Sequence, residues 1–185
     1  VPQWSKAHAL PPSLREAVDS FVLACTVRKL RGQGKKHSSM LVHVTRFNNV
    51  QKVVKADIDD YVKHARQAIG RGIDHADFLS SLHELWNRDF LPASAAVREL
   101  GLGDLPSADA TWQDVASALP GVLDDIEVRM INGTAKDALD YEQNKDRGLK
   151  VIAIGGDKLA RGLTLEGLCT SYFLRASKMY DTLMQ

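Results

Sequence analysis

Two short apolar runs, Val151–Ile154 and Cys169–Leu174, stand on either side of a loop that carries Gly155, Gly156, Asp157, Lys158, Arg161, Gly162, Thr164 and Glu166. A short apolar run beside glycines reads as a strand buried on both faces, the mark of a parallel sheet covered by helices. Such a strand delivers the polar groups that follow it to the carboxyl edge of the sheet. Open α/β folds bind their ligands in the crevice outside that edge. The pattern therefore predicts both a fold class and the position of a site.

The rest of the chain supplies the partners such a sheet needs. Leu14, Ala17, Val18, Phe21, Val22, Cys25 and Leu30 recur at helical spacing after Pro11-Pro12, with Ser13 as the expected cap and Glu16 three residues on. Met40–Thr45 is a strand, and Val50, Val53, Val54, Ile58, Tyr61, Val62, Ala65 and Ile69 then trace a helix to Gly70. A strand running into a helix is half of a βαβ unit. From 72 to 110 the chain reads as a helical insertion packed on the α/β core, with two short helices parted near Pro92. Thr111 caps a further helix, Ile126–Ile131 alternates as a strand, and a polar helix over Ala135–Asn144 leads to the closing strands. A last helix begins near Ser177.

The expected fold class is α/β, a mostly parallel sheet flanked by helices. At 185 residues it fits one domain with the insertion inside it. A formal net charge of +1 selects no polyanionic or membrane partner by global electrostatics. No stretch of apolar residues is long enough to span a bilayer, and VPQWSKAHALPP lacks the design of a secretory signal. Cys25 and Cys169 read as thiols rather than a disulfide, so the expected compartment is the cytoplasm. Because the chain starts without Met and stops at Gln185, it is expected to be part of a longer protein.

Taken on their own, the residues leave several readings open. Gly155 and Gly156 allow a backbone to approach a phosphate, and Lys158 adds a point charge; a strand-to-loop turn needing positive φ would look the same. Arg161 can pair across a domain closure or bridge Glu166 or Asp157. Arg46, Asn48 and Asn49 follow one strand and Lys136 follows Gly133-Thr134, residue types that commonly track a nucleic-acid backbone. The basic stretch Arg28–Lys36 and the group Asp57, Asp59, Asp60 and His64 are more simply solvated surfaces. Asp124, Asp125, Glu127 and Arg129 have a distant likeness to a metal-dependent nuclease but lack its Lys.

The wording GGDKLARGLTLEGL, followed by SYFLRASKMYDTLMQ, resembles the second RecA-like lobe of superfamily-two helicases. Ala160-Arg161-Gly162-Leu163-Thr164 looks like the fifth motif of those enzymes, Leu41–Thr45 with Arg46 like the strand of the fourth, and Val128–Gly133 like the strand before a nucleic-acid-facing turn. Gln185 falls where the sixth motif begins. More narrowly, the same wording is similar to the Z1 (Z-one) domain family, helicase-associated proteins of bacterial restriction and defence systems described as endonucleases.

The resemblance implies a RecA-like sheet and a nucleotide cleft at Asp157, Arg161, Gly162, Thr164 and Gln185 that uses ATP and Mg. It also implies a nucleic-acid surface at Arg46, Asn48, Gly133, Thr134, Lys136, Gly155, Gly156 and Lys158. Implied partners are the first RecA-like lobe of the same protein, DNA, and a nuclease subunit, with no membrane. The sequence departs from the helicase pattern at Gly156, where Thr or Ser is common, and at Thr164, where an acidic residue is common. No phosphate-binding P-loop occurs in these residues, because Gly32–Lys36 lacks its spacing and its Ser or Thr. Phosphoryl transfer needs Lys, Mg²⁺ and Arg groups positioned together, so this chain alone is expected not to hydrolyse ATP. The alternative reading is a non-catalytic interaction module that docks a nuclease subunit through Trp86, Phe90 and Leu91 of the insertion.

Overall fold

The computed structural model describes residues 10–44, 47–71, 75–101, 110–131, 140–156 and 164–174. Within them the chain runs α1 (Pro12–Arg28), β1 (Ser38–His43), α2 (Asn48–Arg71), α3 (His75–Leu85), α4 (Leu91–Glu99), α5 (Trp112–Asp125), β2 (Ile126–Ile131), β3 (Lys150–Gly155) and β4 (Leu168–Phe173). The four strands form one sheet in the order β2-β3-β1-β4, and every pairing is parallel. The two central strands are buried along their whole length, as continuous apolar runs require.

Alternation along the strands splits the sheet into two faces. Met40, Val42, Val44, Ile126, Ile152 and Ile154 point to one face and join Leu14, Phe21, Ile58, Leu82 and Leu119 from α1, α2, α3 and α5 in the main core. Each large apolar side chain buried there contributes about 1.5–3 kcal/mol. Leu41, Ile131, Val151 and Ala153 point to the other face, where Tyr141 and Leu165 cover them. The long β1-to-β2 connection thus packs on one face. Tyr141 and Leu165 bring the β2-to-β3 and β3-to-β4 connections to the other, which is what right-handed crossovers running in opposite directions demand.

Local chemistry explains the helix ends. Thr111 accepts from the Asp114 backbone N–H at 3.2 Å while the Asp114 carboxylate accepts from the Thr111 backbone N–H at 2.9 Å, a reciprocal capping box. The Thr111 hydroxyl also donates to the Asp114 carboxylate at 2.6 Å, and that bond, followed by the one from the Thr111 backbone N–H, holds the carboxyl below its ordinary pKa. Ser13 does not cap α1, contrary to expectation. Pro11 occupies the cap, with Pro12 pre-set for the first turn, and the Ser13 hydroxyl lies 3.0 Å from the Tyr172 hydroxyl instead.

The insertion also differs from two separated helices. α3 continues through a π-turn, Trp86–Phe90, into α4, with the Leu91 N–H donating to the Trp86 carbonyl. Pro92 has no N–H and its ring crowds the carbonyl four residues back, so a widened turn lets the helix continue. Likewise Lys29–Gln33 extends α1 as a second π-turn, with Gly32 at φ +75°. The polar helix expected over 135–144 and the last helix near Ser177 fall largely or wholly outside the described residues; 142–144 form a single 3₁₀ turn.

Candidate functional site

β1 and β3 are neighbours, and their following connections leave toward opposite faces of the sheet. That makes their carboxyl ends the topological switch point, the position at which open α/β sheets bind their ligands. The ladder there pairs His43 with Gly155, Gly155 with Ile131 and His43 with Phe173, so one row crosses all four strands at this edge. The Val44 N–H reaches the Gly155 carbonyl at 3.4 Å, and the Leu174 N–H reaches the His43 carbonyl at 3.0 Å. Gly155 sits in extended strand pairing, so a need for positive φ does not explain it. His43, its partner across the ladder, stacks its ring on Phe173 at 5.3 Å between centroids.

The described residues of the expected site divide as follows. Gly155 and Gly156 are buried at the switch point, and exposed Asn48 begins α2 four residues beyond Val44, so these lie at one edge. Thr164 is exposed on the return leg of the β3-to-β4 connection. That leg is tied to the amino edge: the Ser39 N–H donates to the Gly167 carbonyl at 2.9 Å and the Ser39 hydroxyl donates to the Glu166 carbonyl at 2.8 Å. Arg46, Gly133, Thr134, Lys136, Asp157, Lys158, Arg161, Gly162 and Gln185 lie outside the described residues.

A model of the Z1 domain family matches residues 13–185. The chain belongs to the Z1 domain family. No curated protein and no solved structure matches it.

Within this Z1 domain the other sequence candidates fall away from the crevice. The basic stretch Arg28–Lys36 lies at the amino edge, ahead of β1, and is put to structural use: Arg28 donates to the His37 carbonyl at 3.1 Å. Lys55 pairs with Asp59 and Lys63 with Asp60, each along the α2 surface. No group of three or more His, Cys, Asp or Glu side chains among the described residues could hold a metal ion.

The nuclease-like residues gain the lysine that the local sequence lacks, since β3 brings Lys150 to Asp125 at 3.2 Å. Lys150 pairs in register with Ile126 and shares its face, whereas Glu127 points to the opposite face. Arg129 and Arg147 bind Glu127 there at 2.7 and 2.8 Å. Carboxylates on opposite faces cannot share a metal, so this set reads as three structural ion pairs, one at Asp125 and two at Glu127.

His43 and Phe173 are the site residues that sequence reasoning missed. His43 is a polar residue inside the apolar run Met40–Val44 and is buried at 4% exposure. That intrusion is visible in the sequence, but its position beside Gly155 depends on a strand order that is not. On the insertion, Trp86 is buried and Phe90 packs partly against the core, so they do not form the outward face expected of them. The exposed apolar residues there are Leu91, Val97 and Leu100, and α4 buries no residue. No described helix is long and apolar enough to cross a membrane.

Proposed function

We propose that this Z1 domain is the second RecA-like lobe of an ATP-dependent, helicase-like DNA translocase serving a restriction or defence system. The switch point at His43 and Gly155 is the observation that carries the reading. It places the strand before the Arg161-containing loop beside the strand before Arg46, at the one edge where an α/β sheet binds ligands.

The residues at that edge suit half of a nucleotide site. Gly155 and Gly156 offer backbone without side chains, on which phosphate oxygens can rest. The described residues supply no carboxylate set for Mg²⁺, so the ion would be held by the nucleotide and by the first lobe. ATP bound between the lobes would supply the free energy of closure. On this reading Asp157, Arg161, Gly162, Thr164 and Gln185 face the partner lobe, while Arg46, Asn48, Gly133, Thr134, Lys136 and Lys158 face DNA. The lobe orients and positions; it does not transfer the phosphoryl group by itself.

The test is DNA-stimulated ATPase activity of the longer protein carrying R161A or G162V. A loss of about a hundredfold or more is expected, as when the positioning of reacting groups is lost. Turnover equal to that of the parent would sink the assignment.

A second reading, a non-catalytic module that docks a nuclease subunit, is favoured by one observation. α4 and its cap residue leave Leu91, Val97 and Leu100 exposed, and α4 has no buried residue. L100D with V97D would then abolish capture of the nuclease subunit and leave ATPase turnover intact.

A further inference from the structure

A cavity of about 220 Å³ lies between α1 and α3. Arg15, Glu16 and Asp19 line it from α1, and Ser81, Glu84 and Leu85 line it from α3, with Arg88 of the π-turn beside them. At about 30 Å³ per water it has room for roughly seven waters. Sites for drug-sized ligands measure about 300–1,000 Å³, so this one suits a small molecule or a single side chain.

The charges around the cavity do not balance. Three carboxylates, on Glu16, Asp19 and Glu84, line it together with two guanidinium groups, on Arg15 and Arg88. Arg88 is committed, since it donates to Glu16 at 2.8 Å and to Asp89 at 2.8 Å. Arg15 lies over the Tyr61 ring, 5.7 Å from its centroid. Its Nε stands 3.9 Å from Asp19 Oδ2, too far for a hydrogen bond. Glu84 is exposed and has neither a hydrogen bond nor an ion pair among the described residues.

Asp19 is the decisive group. It is only 4% exposed, so water does little to solvate it. The Tyr61 hydroxyl donates to Oδ1 at 2.6 Å, which leaves Oδ2 as the oxygen with no donor in reach. A buried carboxylate in that position is stabilised by any group that brings a positive charge and N–H donors. Leu85, itself buried, and Pro12 give the cavity an apolar side on which a short aliphatic stem can pack.

We propose that the cavity between α1 and α3 binds a primary ammonium group on an aliphatic stem, the end of a small polyamine or the side chain of a lysine, with Asp19 as the buried anion and Glu84 as the second carboxylate. The proposal does not depend on the nucleotide or DNA reading of the sheet edge.

An ammonium ion favours the ionised carboxylate, so affinity follows the loss of the Asp19 proton. The ionisable groups around Asp19 are Arg15 and Glu16 of α1, Tyr61 of α2, Glu84 of α3 and Arg88 of the π-turn. Burial sets Asp19 at about 6, so binding should tighten about tenfold from about pH 5 to about pH 7.

The test is a titration of the whole chain with n-butylammonium, putrescine and Nα-acetyl-lysine amide at constant ionic strength, followed by amide shifts in proton–nitrogen correlation spectra. Saturable shifts are expected at Asp19, Ser81 and Leu85, with a Kd of about 1 mM or below. n-Butanol has the stem without the charge and should bind at least about tenfold more weakly. D19N should weaken n-butylammonium binding about tenfold near neutral pH and remove its pH dependence. E84Q, at an exposed position, should weaken it about threefold and keep the pH dependence. Thermal midpoints near that of the parent would show that the variants fold; should D19N not fold, the pH dependence of the parent decides alone.

Tighter binding of putrescine than of Nα-acetyl-lysine amide would support the proposal with a polyamine as ligand, and the reverse order would support it with a partner's lysine. The absence of saturable shifts with every amine would overturn it. So would n-butanol binding as tightly as n-butylammonium, an unchanged affinity in D19N, or a parent affinity that does not vary across the pH range.

Discussion

Replacing Gly167 by Ala tests whether the β3-to-β4 connection is threaded as described. Gly167 has φ +64°, and a Cβ built on it would lie 2.0 Å from the His37 carbonyl oxygen and 2.7 Å from its carbon. Both are main-chain atoms of the residue just before β1, so no side chain can swing aside. The left-handed backbone alone costs an alanine about 1–2 kcal/mol. Forcing backbone apart adds about 1–3 kcal/mol, as overpacking does in cores. Together these give about 3 kcal/mol, or a fall of about 6–12 °C in thermal midpoint for a chain of this length.

Gly101 provides the control, because its φ is +60° and nothing lies within 4 Å of where an added methyl would stand. G101A should therefore cost only the backbone term, about 1 kcal/mol. Urea denaturation followed by circular dichroism would measure both, with similar m-values if the denatured states match. Equal losses in G167A and G101A would refute the argument, since Gly167 would then serve φ alone and the close passage beside His37 would be absent.

Two other perturbations probe the helical layer. Asp19 is buried and accepts from the Tyr61 hydroxyl at 2.6 Å; burial outweighs that bond and the nearby Arg15, and its pKa is pushed up to about 6. The folded chain therefore keeps a proton that the unfolded chain releases, so stability falls as pH rises from about 4 to about 6, by roughly 3 kcal/mol in full. D19N should flatten that slope in urea titrations across the window, and an unchanged slope would show that Asp19 is not its source. T111A removes the capping box of α5 and should lower stability by about 1 kcal/mol, read as a shift in the urea midpoint, while T111S should retain most of it.

The two central strands are legible because buried parallel strands are short apolar runs, and that signal is local. β4 has a similar run but is an edge strand that buries no residue, contrary to the expectation for Cys169–Leu174. The limits of the signal also show at Ser38 and Ser39, which open β1 although polar. Ser39 is buried because its hydroxyl meets the Glu166 carbonyl and lies 2.7 Å from the Tyr141 hydroxyl, partners more than 100 residues away. Ser13 misleads for the same reason, since its partner, Tyr172, comes from β4. The π-turn at Trp86–Phe90 is hidden because Pro92 signals trouble for a helix without saying whether the helix breaks or widens. In the site, the glycines after β3 are legible as chemistry. Their neighbours His43 and Phe173 are not, because the order β2-β3-β1-β4 is a property of the sheet as a whole.

Strand direction also decides which basic region can act with the crevice. Arg28–Lys36 holds five cations and is the denser cluster, so by charge alone it would be the first choice for a phosphate surface. It lies ahead of Ser38, whereas Arg46 and Lys52 follow His43, so the full length of β1 separates the two regions. Six residues at about 3.3 Å each make that separation about 20 Å. This is twice the Debye length of about 10 Å at moderate salt, so the two clusters act nearly independently on a ligand. Lys150, the cation most deeply placed at the amino edge, is committed to Asp125 and to the Gly34 carbonyl. Charge reversal in the Arg28–Lys36 stretch should then leave the salt dependence of DNA binding nearly unchanged. K52E should reduce the slope by about one phosphate contact. On the proposed reading the sparser cluster would govern binding, because it follows β1, whose end pairs with Gly155.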